Sequence, residues 1–146
     1  MNEVAAAVCP TSLAFQMLGA AHEVEARLES ALERIGLSVA KFGVLAKLAE
    51  AGEPLALGSL AERSCCVRSN MTQLVDRLEA DRLVERVNDP NDRRSVRAAL
   101  TPTGRERHAE GVRMVEEAGR TIFAGLDEGE RATLRRVLAQ LGRSHP

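Results

Sequence analysis

Between residues 68 and 77 the chain gathers side chains suited to one chemistry, the recognition of nucleic-acid edges and phosphates: Arg68, Ser69, Asn70, Thr72, Gln73 and Arg77. A guanidinium presents a planar fork that matches guanine or a phosphate, carboxamides pair two-pronged with adenine, and hydroxyls serve either base. A second concentration, Asp92-Arg93-Arg94, follows the turn-forming run Asn88-Asp89-Pro90-Asn91. Arginine held on such a loop suits the narrow minor groove, where the potential is most negative. Cys65 and Cys66 stand just before the first cluster. Thiolates near a helix N-terminus have a lowered pKa and meet oxidants or soft metals readily, yet a free cysteine also packs well as a small apolar residue, the role favoured for Cys66. Cys9 reads as an incidental thiol on an N-terminal arm. His22, His108 and His145 lack the spacing of a zinc site, and the chain holds no GxSxG, no P-loop and no GxGxxG after a strand. No metal, cofactor or enzymatic activity is expected from these residues.

The whole chain narrows the possibilities further. Its 146 residues, 45% hydrophobic and 28% charged, suit one compact domain with its own core. No apolar run is long enough to span a membrane and no secretory leader is evident, so a cytoplasmic protein with reduced thiols is expected. With no Trp, no Tyr and three Phe, it lacks the stacking platforms of single-strand binders, which disfavours that class and leaves duplex DNA open. The net charge of −1 conceals a division: residues 1–59 carry four basic against seven acidic side chains, residues 60–107 ten against eight, and residues 108–146 six against six. The basic part is the one that holds both clusters. Of the 20 basic residues 18 are Arg, a bias toward phosphate and guanine recognition that GC-rich coding also produces.

The elements that would position these clusters follow from hydrophobic spacing. Leu13, Met17, Ala20, Val24, Leu28, Ala31 and Ile35 alternate by three and four, which predicts a long amphipathic helix ended by Gly36. Ser38 caps a second helix with Val39, Phe42, Leu45, Ala46 and Ala49 inward and Gly52 at its end. Leu55 to Leu57 is a short extended link, and Ser59 with Glu62 forms a capping box for a short helix over about 60–64. A fourth helix over 67–82 buries Met71, Leu74, Val75 and Leu78, leaving the base-reading side chains elsewhere. Residues 83–87 and 95–100 read as a β-hairpin about the Asp-rich turn that holds Arg93 and Arg94. Thr101 with Pro102 opens a fifth helix carrying Val112, Val115, Ala118, Ile122 and Phe123 on one side. A capping box of Asp127 and Glu130 opens the last helix, with Leu134, Val137, Leu138 and Leu141.

The fold class expected is mainly α with a small β-hairpin. Two helices about a short turn, the second with a polar N-terminal face, form a helix-turn-helix, and the hairpin after it acts as a wing. At this point the chain resembles the MarR family of winged helix-turn-helix transcription regulators. Asp92-Arg93-Arg94 followed by Leu100-Thr101-Pro102-Thr103-Gly104 resembles the family's wing signature, D-x-R, then L-T, then G. Leu74-Val75-Asp76-Arg77-Leu78-Glu79 is similar to its recognition-helix continuation, and Leu83-Val84-Glu85-Arg86 to its first wing strand.

The resemblance implies a single domain over 1–146, with dimerisation helices in 12–35 and 101–143, a winged helix-turn-helix in 38–100, and the wing in 83–100. It implies Arg94 as the wing arginine, Asp92 as its orienting partner, and Ser69, Asn70 and Gln73 as groove-facing. It further implies a homodimeric repressor on a palindromic operator, released by a small, often aromatic or phenolic effector bound where Phe15, Met17, His22, Phe42 and Leu45 can contribute. Those five residues also read simply as core. Two positions depart from the family pattern: Cys65 stands where the turn often has glycine, and Val67 where a small hydroxyl residue caps the helix. The peroxide-sensing branch has an L-C-F context and tyrosines, whereas this chain has Leu13-Ala14-Phe15 and no Tyr, so that mechanism is not expected. Three readings stay open in rank order: a ligand-released DNA-binding regulator, a regulator switched by thiol or metal chemistry at Cys65 and Cys66, and a helical interaction module without DNA binding.

Overall fold

The computed structural model describes residues 12–63 and 68–143, with the backbone alone at Arg68 and Ser69. Six helices and three short strands follow in the order α1 (Leu13–Glu33), α2 (Val39–Ala51), β1 (Leu55–Ala56), α3 (Leu57–Arg63), α4 (Arg68–Ala80), β2 (Val84–Asp89), β3 (Asp92–Leu100), α5 (Pro102–Ile122) and α6 (Glu128–Arg143). Local capping accounts for several boundaries. The Ser38 hydroxyl accepts from the Lys41 N–H at 3.1 Å to start α2, and Gly52, left-handed at φ 68°, ends it. The Thr101 hydroxyl accepts from the Gly104 N–H at 2.9 Å with Pro102 in the first turn of α5. Asp127 and Glu130 cap α6 reciprocally, at 2.8 and 2.9 Å.

α2, α3, α4 and the inner face of the sheet enclose one core, built on Val44, Leu45, Leu48, Leu55, Leu60, Met71, Val75, Leu78, Val84 and Ala98, with Leu32 of α1 added from outside. The sheet is antiparallel with order β1-β3-β2, Leu55 opposite Ala98 and Val84 opposite Leu100.

Several expectations need correction. The wing is not a bare hairpin, because the link at Leu55–Ala56 pairs with β3 as a third strand. Ser59 is not an N-cap: α3 starts two residues earlier, at Leu57, directly from β1. Val44 and Leu48 belong to the core, since α2 is covered on more of its circumference than one stripe. Phe123 caps the C-terminus of α5 rather than lying within it. Cys9, Cys65, Cys66, Val67 and His145 lie outside the described residues.

The terminal helices are different in kind. α6 has no buried residue, and Leu138 and Leu141 are 48% and 53% exposed. On α1, Leu13, Phe15, Met17 and Leu18 are exposed as well. Among the described residues no helix is long and apolar enough to cross a membrane.

Candidate nucleic-acid interface

α4 divides cleanly into two faces. Met71, Val75 and Leu78 have no exposed surface, while Asn70, Thr72, Gln73, Asp76 and Arg77 are exposed. Helical geometry sets Asn70, Gln73 and Arg77, at i, i+3 and i+7, along one stripe, with Asn70 in the first turn. Carboxamides at a helix N-terminus and a guanidinium farther along are the arrangement that a major groove accepts. Arg68 and Ser69 occupy the first two positions of the same turn.

The wing is closed by a tight turn at Pro90-Asn91, with Asp89 opposite Asp92 and a register shift between Asn88 and Asp89. Two carboxylates brace it from below. Asp89 accepts from the Asn91 N–H at 2.9 Å and pairs with the Arg97 Nη2 at 3.1 Å. The first of these bonds, helped by Arg97, outweighs burial and holds the Asp89 pKa below the usual carboxylate range. Asp92 accepts from the Arg94 N–H at 2.9 Å. This bond fixes the Arg94 backbone and leaves its guanidinium free to point outward. Arg93 and Arg94 lie within β3, just past the turn rather than inside it, and both are exposed. Among the described residues neither has an ion-pair partner, so both charges are open to phosphates.

One member of this region escaped sequence reasoning. Arg86 of β2 reaches back to α4, donating from Nη1 to Glu79 Oε1 at 3.0 Å and from Nη2 to Asp76 Oδ1. Its backbone N–H also donates to Glu79 Oε2 at 3.0 Å. Burial opposes the Arg86 charge, but the bonds from Asp76 and Glu79 more than offset it and raise its pKa further. The only signal in the sequence was the presence of acids on α4, because the partners are seven and ten residues away across a turn.

The residues offered for an effector are dispersed. Phe15, Met17 and His22 are exposed on α1, and Leu45 is fully buried. Phe42 stacks on His108 with ring centroids 5.7 Å apart. None of the five lines either of two cavities that the structure does form. One of about 400 Å³ lies between the end of α2, the wing sheet and the start of α5, lined by Leu48, Val87 and Leu100 and by the charged or polar Glu53, Glu85, Arg105 and His108 among others. The other, about 450 Å³, is a groove between α1 and α5, floored by Ala26, Ala31, Met114, Ala118 and Ile122.

Residues 37–96 match the MarR family, and an HTH-type transcriptional regulator of Bacillus subtilis (strain 168), YsmB, is 33% identical over 110 residues, 75% of each chain. The chain belongs to the MarR family. The match spans α2 through most of β3, the segment that holds both arginine-bearing surfaces. The homoprotocatechuate degradative operon repressor of Escherichia coli is 29% identical over 113 residues, 77% of this chain and 76% of its own. Among solved structures, Bordetella bronchiseptica BpsR, whose DNA binding is regulated by 6-hydroxynicotinic acid, superposes with a TM-score of 0.85 at 25% identity, over 92% of this chain and 96% of its own. The mainly helical winged fold of the MarR family therefore extends over the terminal helices as well as the matched segment.

Proposed function

We propose that this protein is a homodimeric, sequence-specific repressor that binds duplex DNA in the cytoplasm and is released by a small aromatic acid. The observation that carries the DNA reading is the face of α4, with Met71, Val75 and Leu78 fully buried and Asn70, Gln73 and Arg77 exposed in one stripe, beside a braced wing whose two arginines have no ion-pair partner among the described residues. We assign DNA contact to residues 38–100, through Arg68, Ser69, Asn70, Thr72, Gln73 and Arg77 on α4 and Asp92, Arg93 and Arg94 on the wing. The helices in 12–35 and 101–143 serve pairing. Exposed Leu138 and Leu141 on α6 and the exposed apolar start of α1 are costly in water, and the α1–α5 groove of a second copy, where Ala26, Ala31, Met114, Ala118 and Ile122 lie among charged neighbours, offers them cover.

For the effector, the relatives' names point to hydroxylated aromatic acids. The cavity between the wing sheet and α5 offers one place for it: Leu48, Val87 and Leu100 to contact a ring, and Arg105 and His108 to draw a carboxylate against the opposing charges of Glu53 and Glu85. A ligand there would press on the wing and on a pairing helix together. Selection of bound duplexes from a random pool should return an imperfect palindrome with half-sites about one helical turn, roughly 34 Å, apart. Hydroxylated aromatic acids should then release it. Selected sites without a dyad, or no enrichment at all, would defeat the reading.

A further inference from the structure

α4 and the wing are the two surfaces that meet DNA in the reading above, on which this inference rests. Across their exposed side they are tied by Arg86. Its guanidinium forks to Asp76 and Glu79, which stand one turn apart on α4, and its backbone N–H holds the second oxygen of Glu79 at 3.0 Å. The Arg86 side chain is 26% exposed against 58% for Asp76 and 43% for Glu79, so the cation is the sheltered partner. An ordinary surface ion pair gains little because two flexible side chains must be ordered for a screened attraction. Here a planar fork meets two carboxylates, one of them already fixed by a backbone N–H, and less freedom remains to be lost. A pair of carboxylates beside Arg77 is otherwise poorly placed on a surface that faces phosphates. Their presence calls for a role other than attraction to DNA.

We propose that Arg86 is a positioning residue, clamped by Asp76 and Glu79, that locks the recognition helix to the wing so that Asn70, Gln73 and Arg94 engage one site together. The decisive variant is Asp76→Asn with Glu79→Gln, which makes the DNA-facing surface more positive. Simple electrostatics would have it bind every duplex more tightly. The lock requires the opposite on the operator, a loss of about tenfold, with unrelated duplex bound as well as before or better. Arg86→Lys, a point charge without a fork, should also lose operator affinity despite conserving charge.

Operator affinity equal to or above wild type in the double variant overturns the proposal, and so does an equal loss on both duplexes. If the double variant fails to fold, Asp76→Asn alone, which leaves both Glu79 contacts intact, should still lose about threefold on the operator only; unchanged affinity overturns the proposal. Asn70→Ala measured alongside separates the two readings. If it relaxes base preference while the clamp variants bind normally, only the lock is wrong; if it too leaves base preference unchanged, DNA recognition by α4 is wrong, and the lock with it.

Discussion

Gly104, in the first turn of α5, lies against the carbonyl of Leu83 so closely that a Cβ placed on it would stand 1.9 Å from the Leu83 oxygen and 2.9 Å from its carbon. Both atoms are backbone, so no side-chain rotation relieves the overlap, and the two segments must part by more than about an ångström. The same oxygen accepts from the Thr101 N–H at 3.2 Å, and the neighbouring Arg82 carbonyl accepts from the Thr101 hydroxyl at 2.7 Å. Separation therefore strains or breaks bonds that join the wing to α5. Losing one such bond costs about 1 kcal/mol, and the overpacking adds about 1 to 3 kcal/mol. Gly104→Ala should thus destabilise the protein by about 2 to 4 kcal/mol, although alanine is the better helix former. Gly43, inside α2 with nothing near its added Cβ, is the control, and Gly43→Ala should stabilise by about 0.5 to 1 kcal/mol. Urea unfolding of the three proteins at one protomer concentration measures both effects, concentration being fixed because pairing contributes to stability. A Gly104→Ala midpoint within error of wild type would refute the packing argument.

Other outcomes follow from the same structure. Leu138→Glu with Leu141→Glu should yield monomers by sedimentation at micromolar concentration and sharply weaken operator binding, because the exposed α6 stripe then carries charge into its partner. Arg82 is left-handed at φ 61° where it closes α4, and Arg82→Gly should raise stability by about 0.5 to 1 kcal/mol in urea unfolding. Asp89 has a folded pKa below its unfolded one, so its bracing of the wing is complete above the ordinary carboxylate range and is lost as pH falls through the depressed folded value. NMR titration should find the Asp89 carboxyl ionised below its ordinary midpoint, and in Asp89→Asn the wing-tip amides should lose protection from exchange.

What could be read from the sequence was what is local in the chain. Ser38, Thr101-Pro102 and Asp127 with Glu130 act on N–H groups one turn away, so residue type and spacing were enough. The buried stripe of α4 was legible because one side of that helix faces water. Leu55–Ala56 read as extended, but its pairing was not legible, since two residues carry no period and their partners on β3 lie more than 40 positions on. Val44 and Leu48 were missed because a helix covered on several sides does not keep to one stripe. The Arg86 clamp and the Phe42–His108 stack depend on how elements pack, which spacing alone does not encode. For the same reason Leu45 was named for a ligand when its position in the core leaves it no open surface.

The proposed division of labour has α4 reading bases and the wing supplying a cationic hold. It is tested most directly by measuring Arg94→Ala, Asn70→Ala and Gln73→Ala on matched and mismatched duplexes across a salt series. Arg94→Ala should weaken binding to both duplexes, by about 1 to 3 kcal/mol on the operator, and reduce the salt slope by about one. Asn70→Ala and Gln73→Ala should instead relax base preference and leave the slope nearly unchanged. Arg94→Ala with wild-type affinity and slope, or carboxamide variants with undiminished base preference, would contradict the account.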